Sequence, residues 1–504
     1  MTNPGEPRSV QAGSSPAEGG SDDGGVKHRA SAALFLVGSW GLANLVTAFF
    51  GNLVLARLLD PNAFGVVAVG STVLIIVSAF AEGGLASALI RRPEPPTEPE
   101  LRTLTGLQLC ITGLLVFLVA AVALPFGEIG QVTAMMSLAV PIGTLQAAGK
   151  IGLAREIRMR QITAVDAASV FGYYAWSITA VAAFDLGVWG LATGTVFRSI
   201  CGALAMAVVP GGGLRRPTLE LIRDVGPLIR FGVRFQANWI AIVGREQGVN
   251  AVTGVMGGIY TLGLWSLTAR LVQVPSVLYE AIGRVTFPTM SHLLARGRDP
   301  RPLIERTARL AAAASAILLA AFAAGAPGYV PSLFGSKWDG IVPLLPLASL
   351  ALMVTGTFAT AAVGYLFAAN RPEIVLRSSI AYGVTWVVSA AALLPAVGGV
   401  GVGIGWILGA GAESAVLVPA VRRLAGARIA IALLAPLSVA VIGGAVGWIV
   451  TTQIGTTLVA GAVGALAAAL TTIGGLLMFS RDVMLDLLTI GLRSARDAFR
   501  RDPS

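Results

Sequence analysis

The sequence predicts an all-α, polytopic membrane protein: about fourteen transmembrane helices, arranged as two pseudo-symmetric six-helix bundles plus two C-terminal helices. Three observations carry this. Of the 504 residues, 55% are hydrophobic and only 12% charged, with mean hydropathy +0.78, whereas water-soluble domains carry about 25% charged residues. The 52 residues between Arg428 and Arg481 hold no charge at all. A span needs about 20 apolar residues, so this run holds two, divided at Thr451-Thr452-Gln453. Third, residues 52–65 have an echo at 250–263. These features exclude a soluble globular enzyme, a disordered chain and a disulfide scaffold.

The elements follow in order. Residues 1–31 form a disordered cytoplasmic tail, rich in Gly, Ser, Pro and acids through residue 27 and without the apolar core of a signal peptide. Six spans at 32–56, 63–90, 103–125, 130–149, 162–183 and 187–209 make the N-terminal bundle, 32–209. The segment 210–227 is too short and too charged to cross, and reads as an amphipathic cytoplasmic linker. Spans at 228–250, 259–291, 303–326, 341–369, 376–396 and 399–419 make the second bundle, 228–420. The last two, 429–450 and 457–480, fall within the additional region 429–480, followed by a basic tail, 481–504.

With both termini inside, cytoplasmic segments hold 29 of the 36 Lys and Arg residues. Six others lie in or at the end of a span, and Lys337 alone falls in an outside loop. That positive-inside bias orients the chain with N- and C-termini cytoplasmic. It also accounts for the net charge of +10 without nucleic acid, since the basic residues form no block interleaved with aromatics. The outside loops are short, the longest being about a dozen residues near Tyr329–Asp339, which leaves no room there for a catalytic domain.

In the echo, Asn52 matches Asn250 and Gly65 matches Gly263, both 198 residues on, at the outer junction of an odd and an even span. The same offset carries the first span onto the seventh, the third onto the ninth and the fourth onto the tenth. Six spans separate the copies, so they share one orientation. That is a parallel repeat about an axis along the membrane normal, with a central cavity between facing bundles and alternating access as its natural motion.

The motifs resemble one family. Ala56-Arg57-Leu58-Leu59-Asp60-Pro61 with Phe64-Gly65, then Gly84-Leu85-Ala86-Ser87-Ala88-Leu89-Ile90, are similar to the opening helix pair of the polysaccharide transporter family. These are the Wzx-type flippases for lipid-linked oligosaccharides and O-antigen in lipopolysaccharide biosynthesis, within the multidrug/oligosaccharidyl-lipid/polysaccharide (MOP, MATE-like) exporter superfamily. Arg155-Glu156-Ile157-Arg158-Met159-Arg160, Gly187-Val188-Trp189-Gly190-Leu191, Gly263-Leu264-Trp265-Ser266 with Ala269-Arg270-Leu271, and Phe287-Pro288 continue the likeness over roughly residues 30–480. In the family an acid commonly precedes the Asn near the end of the seventh span. Val249 stands there in this chain, whereas Glu82 keeps an acid in the second span. The resemblance implies a transporter of the bacterial cytoplasmic membrane moving a polyprenyl-diphosphate-linked glycan, a surface-polysaccharide precursor, to the outer leaflet. It further implies glycosyltransferases and a polymerase of the same pathway as partners, alongside membrane lipids.

Charges at membrane depth need a partner or a wet cavity. On the seventh span Arg234, Asn238 and Arg245 point within roughly 40° of one another in a helix of 100° per residue. On the eighth, Arg270, Gln273, Glu280 and Arg284 keep within about 80°. Arg198 lies about 16 Å into the sixth span, and Glu413 is deep in the twelfth. Arg198, Arg234, Asn238, Arg245, Arg270 and Gln273 are the candidates to line a cavity and hold the diphosphate, because guanidinium forks fit phosphate. Glu82, Glu246, Glu280 and Glu413 are the coupling-ion candidates. Arg57, at the outer end of the first span, reads as structural.

Cys110 and Cys201 fall in apolar segments and read as small hydrophobes. His28 and His292 belong to no metal cluster, and no phosphate loop or catalytic constellation calls for a cofactor. Three other readings stand beside the glycolipid flippase. A multidrug or cation antiporter of the same fold favours cavity acids over arginines, and a lipid II flippase is a close neighbour. A membrane-embedded polysaccharide polymerase needs a large outer loop with reactive groups.

Overall fold

The computed structural model describes residues 41, 43–82, 89, 94–220, 237–487 and 489, with the backbone alone at 81–82 and 237–239. The described residues are helical throughout their membrane-length segments and contain no strand. The N-terminal half comprises α1 (Ala43–Leu58), α2 (Pro61–Glu82), α3 (Glu98–Ala123), α4 (Gly127–Ser137), α5 (Ala139–Thr144), α6 (Ala147–Arg155), α7 (Met159–Ala182) and α8 (Val188–Val208). The second half comprises α9 (Ala237–Ala295), α10 (Arg301–Ala324), α11 (Ala326–Phe334), α12 (Leu344–Ala368), α13 (Pro372–Val397) and α14 (Val400–Ala425). Two more, α15 (Ile429–Ile454) and α16 (Leu458–Phe479), follow.

Ten stretches among the described residues are long and apolar enough to cross a membrane. Two of these, Glu98–Thr144 with 47 residues and Ile240–Ala295 with 56, far exceed one span and fold back on themselves. The reversals sit at Gly127 (φ 64°) and Gly258 (φ 79°), backbone conformations that side chains with a Cβ rarely adopt. Counting each as two passes and adding Ala43–Leu58 and Met159–Ala182 recovers the fourteen expected passes. The chain is a multi-pass membrane protein.

The repeat is visible in backbone detail. Ile157 and Asn370 share φ 56°, and Gly187 and Gly398 have φ 53° and 60°. The turns before them match as well: Arg158 N–H donates to Leu153 at 2.9 Å and Arg371 N–H to Leu366 at 2.8 Å. These equivalences lie 211–213 residues apart, whereas Gly65 and Gly263 lie 198 apart. The offset therefore does not carry the fourth span onto the tenth. The second half contains extra chain, α11 and the 3-10 helix Ser336–Ile341, before α12 begins at Leu344.

That extra chain corrects a second expectation. The stretch near Tyr329–Asp339 is not a free outer loop, because Val330, Phe334, Trp338 and Ile341 are fully buried in the largest apolar core. The same core takes Leu55 and Ala56 from α1, Phe64 from α2, Leu191 from α8 and Leu267 from α9. It seals the two halves together at one end of the molecule. Trp338 Nε1–H donates to the Ala56 carbonyl (2.8 Å) and Lys337 Nζ to the Arg57 carbonyl (2.9 Å). Arg57 in turn donates to the carbonyls of Leu333 (2.5 Å) and Ser332. Carbonyls at a helix end lack intrahelical donors, and these cross-chain donors satisfy them. Arg57 is thus a strut between α1 and α11.

The fourth span is not one helix. Pro141 has no N–H, so the Ser137 carbonyl loses its intrahelical donor, and the chain breaks at Leu138 and again at Leu145–Gln146. Tighter bonds, Leu138 N–H to Met135 (3.2 Å) and Gln146 N–H to Gly143 (3.2 Å), bridge the breaks. The described part of the linker, 210–220, is non-helical and lies against α3, with Thr218 N–H donating to the Arg102 carbonyl (3.2 Å). The expected amphipathic character of 221–227 lies outside the described residues. Cys201 is half-buried and Cys110 exposed; both are free thiols.

Candidate functional site

The broken fourth span positions the site. Irregular backbone at membrane depth is tolerated where it lines a wet cavity, and the breaks face a cavity of about 600 Å³. Its walls come from α1, α2, α3, α5, α6, α7 and α8, so it lies inside the N-terminal bundle and not between the halves, where it was expected. Gln146, in the second break, donates to the Ser199 carbonyl (3.3 Å) and ties the break to α8 beside Arg198.

Arg198 lines this cavity, about 15 Å along α8 from its first residue, Val188. It makes no hydrogen bond or ion pair with any described residue. Lys150 Nζ and Asp166 Oδ1 form an ion pair at 2.8 Å across the cavity wall, leaving Arg198 as the uncompensated charge among these three. Gln108 is 1% exposed, and its Oε1, like Oδ1 of Asn44, has no hydrogen-bond donor among the described residues. Buried polar atoms are normally paired. Two orphaned acceptors beside a free guanidinium make a cavity able to take donors and an anion at once.

Next to the cavity lies the seam between the halves. Asn52 Nδ2 donates to the Tyr174 hydroxyl (3.1 Å) and Arg270 donates to Asn52 Oδ1 (2.6 Å). The Arg270 guanidinium also stands 5.4 Å over the Phe64 ring. Tyr174 lies within electrostatic reach of both Arg270 and Arg198, so these two deep arginines belong to one cluster.

Comparison with known proteins agrees with this architecture. Residues 54–343, more than half of the chain, match the family described as polysaccharide biosynthesis protein. This chain belongs to that family. Lipopolysaccharide biosynthesis protein WzxC of Escherichia coli (strain K12) is 25% identical over 337 residues, 64% of this chain and 65% of that one. Succinoglycan biosynthesis transport protein ExoT of Rhizobium meliloti (strain 1021) is 26% identical over 308 residues, 59% of this chain and 61% of that one. The matches span less than two thirds of either relative. Among solved structures, lipid II flippase MurJ in an inward closed conformation superposes with TM-score 0.69 at 12% identity, over 90% of this chain and 99% of that one. That likeness establishes the fold.

In this family member the predicted polar residues do not all converge. Arg245 is separate from Arg198 and Arg270. It lies in the second bundle, 4.2 Å over the Tyr382 ring and 3.3 Å from Glu246, within electrostatic reach of the buried Glu413. The reason is rotational: its helix face meets α13, where Gly383 leaves room for the Arg245 side chain. Glu280 and Arg284 pair with each other at 3.4 Å, both about half exposed, and Gln273 is exposed one turn from Arg270. Arg234 lies outside the described residues, as do the side chains of Asn238 and Glu82.

Sequence reading passed over Lys150, Asp166, Tyr174, Asn44 and Gln108. Lys150 lies on α6, which ends at Arg155, and reaches the cavity from there. The available signal was a polar Gln108 inside an otherwise apolar third span.

Proposed function

We propose that this chain is a flippase, not an enzyme, moving a polyprenyl-diphosphate-linked glycan from the cytoplasmic to the outer leaflet of the bacterial cytoplasmic membrane by alternating access. The observation that carries the reading is the polar cavity at bilayer depth, with Arg198 unpaired and two buried amide oxygens lacking donors. A phosphate satisfies the guanidinium, and sugar hydroxyls supply the missing donors. Arg270, held by Asn52, extends the cationic path along the seam. The polyprenyl tail stays in lipid, where its burial costs nothing.

Both termini lie on the cytoplasmic side, following the basic-residue bias. The units are the bundles 32–209 and 228–420, joined by 210–227, with 429–480 appended. Sequence relatives named for lipopolysaccharide and succinoglycan biosynthesis support a glycan cargo, and glycosyltransferases and a polymerase of that pathway are the expected partners. Glu82, Glu246, Glu280 and Glu413 remain the proposed coupling-ion positions. The deciding experiment is gene deletion. The strain accumulates lipid-linked oligosaccharide on the inner leaflet and loses surface glycan; unchanged export with new drug sensitivity instead indicates a multidrug antiporter.

A further inference from the structure

A second charged cavity, of about 480 Å³, shares no lining residue with the polar one. It sits between the start of α10, the start of α15 and the end of α16. Arg301, Arg309, Arg428 and Arg481 line it, against only Glu305 and Asp482. Glu305 is already engaged. Its Oε1 accepts from Arg301 Nε (3.4 Å) and from the Arg428 backbone N–H (2.8 Å).

The remaining guanidinium groups form no ion pair with a described residue, Asp482 included. Arg309 donates only to the Glu305 carbonyl (3.4 Å), and the side chains of Arg428 and Arg481 make no ion pair with a described residue. The rest of the lining is apolar. Ile431 and Phe479 are 63% and 64% exposed and flank the arginines on the bilayer side.

A cationic pocket with an apolar flank fits one molecular shape: a phosphate attached to an acyl chain. Guanidinium forks bind phosphate oxygens bidentately, and basic pockets between transmembrane helices on the cytoplasmic side take anionic headgroups. A soluble anion leaves the exposed Ile431 and Phe479 unused. We propose that this cavity is a binding site for an anionic glycerophospholipid of the adjoining leaflet, whose phosphate is held by Arg309, Arg428 and Arg481. The lipid ties the second bundle, through α10, to the appended pair α15–α16.

The site is independent of the cargo, so its test needs none. The purified full-length protein is placed in nanodiscs of phosphatidylcholine with and without phosphatidylglycerol, and retained lipid is measured by native mass spectrometry. The wild type retains phosphatidylglycerol preferentially. Each of R309Q, R428Q and R481Q lowers that preference about fivefold, as expected for one charge near an anionic headgroup. The control R422Q/R423Q removes two arginines outside the cavity and leaves the preference unchanged. Arg→Lys variants at the three positions, which keep the charge and the fold, retain part of it. Equal preference in the triple Gln variant, an equal loss in the control, or displacement of the lipid by millimolar inorganic phosphate each overturns the proposal.

Discussion

Arg270 donates to Asn52 at 2.6 Å across the seam between the two halves, and this pair has a counterpart. Asn250 Nδ2 meets Thr72 Oγ1 at 3.5 Å, and each of those residues lies 198 positions from its equivalent. The two contacts are therefore images of one another about the pseudo-two-fold axis, as in an isologous interface. They differ in chemistry: one half contributes a guanidinium where the other contributes a hydroxyl. The repeat has kept its geometry and placed its charge on one side, next to the polar cavity.

Removing Asn52 leaves the Arg270 guanidinium without its acceptor. Asn52→Ala is expected to lower stability by about 1–3 kcal/mol, read as a fall in thermal unfolding midpoint in detergent. Arg270→Ala is expected to abolish surface-glycan export at normal protein level. Full export by that variant removes Arg270 from the cargo path.

Gly65 and Gly263 sit where α2 crosses α9. A Cβ on Gly65 falls 2.0 Å from the Ile259 carbonyl oxygen, and one on Gly263 falls 1.8 Å from that of Pro61. Either position substituted by Ala forces the halves apart where α2 crosses α9, at a cost of about 1–3 kcal/mol. Accessibility of cysteines placed at nearby seam positions to a water-soluble thiol reagent rises in these variants. No change in accessibility or stability means the crossing is looser than described.

Arg198 makes no hydrogen bond or ion pair with a described residue that its loss can break. Arg198→Gln is expected to lower glycan export at least tenfold while the unfolding midpoint stays within the ordinary range for an exposed substitution, about 0.5 kcal/mol. A large loss of stability with it assigns the side chain a structural role instead.

Trp338 is fully buried and bonded to the Ala56 carbonyl. Trp338→Ala is expected to cost about 3–5 kcal/mol. Arg57→Ala, which frees the Ser332 and Leu333 carbonyls, costs less because the chain there is partly exposed to water. Thermal unfolding of both variants orders them, and the reverse order contradicts the strut.

The appended helices pack through small residues. A Cβ on Gly464 falls 1.8 Å from Thr451 Oγ1, and one on Gly447 falls 2.3 Å from the Gly464 carbonyl. Close backbone approach of this kind drives helix association in lipid. Gly464→Val is expected to separate α15 from α16, seen as new protease sensitivity at the connecting turn near Gly455.

Much was legible in the residues. Apolar runs and charge placement marked the passes because a bilayer admits few solutions to backbone hydrogen bonding. Gly65/Gly263 marked the repeat because a crossing helix pair demands small residues in both copies, and Asn52/Asn250 because each bonds across the seam. The Glu280–Arg284 and Arg245–Glu246 pairs follow from spacing along one chain. Helical spacing did not reveal that Arg245 turns into the second bundle while Arg270 turns to the seam, since the kink and partner helices set those directions. Nor did hydropathy distinguish the buried α11 segment from an outer loop, because its Trp and Phe residues suit a membrane interface as well as a core.

The sequence by itself determined that this chain lives in a bilayer, how many times it crosses and that its halves repeat. Each of these follows from local composition and from the cost of placing polar groups in hydrocarbon. Only the tertiary structure decided where the cavity lies and which arginine remains unpaired in it. Those depend on how the breaks around Pro141 are packed and on which neighbours each charge meets, contacts between residues distant in the chain.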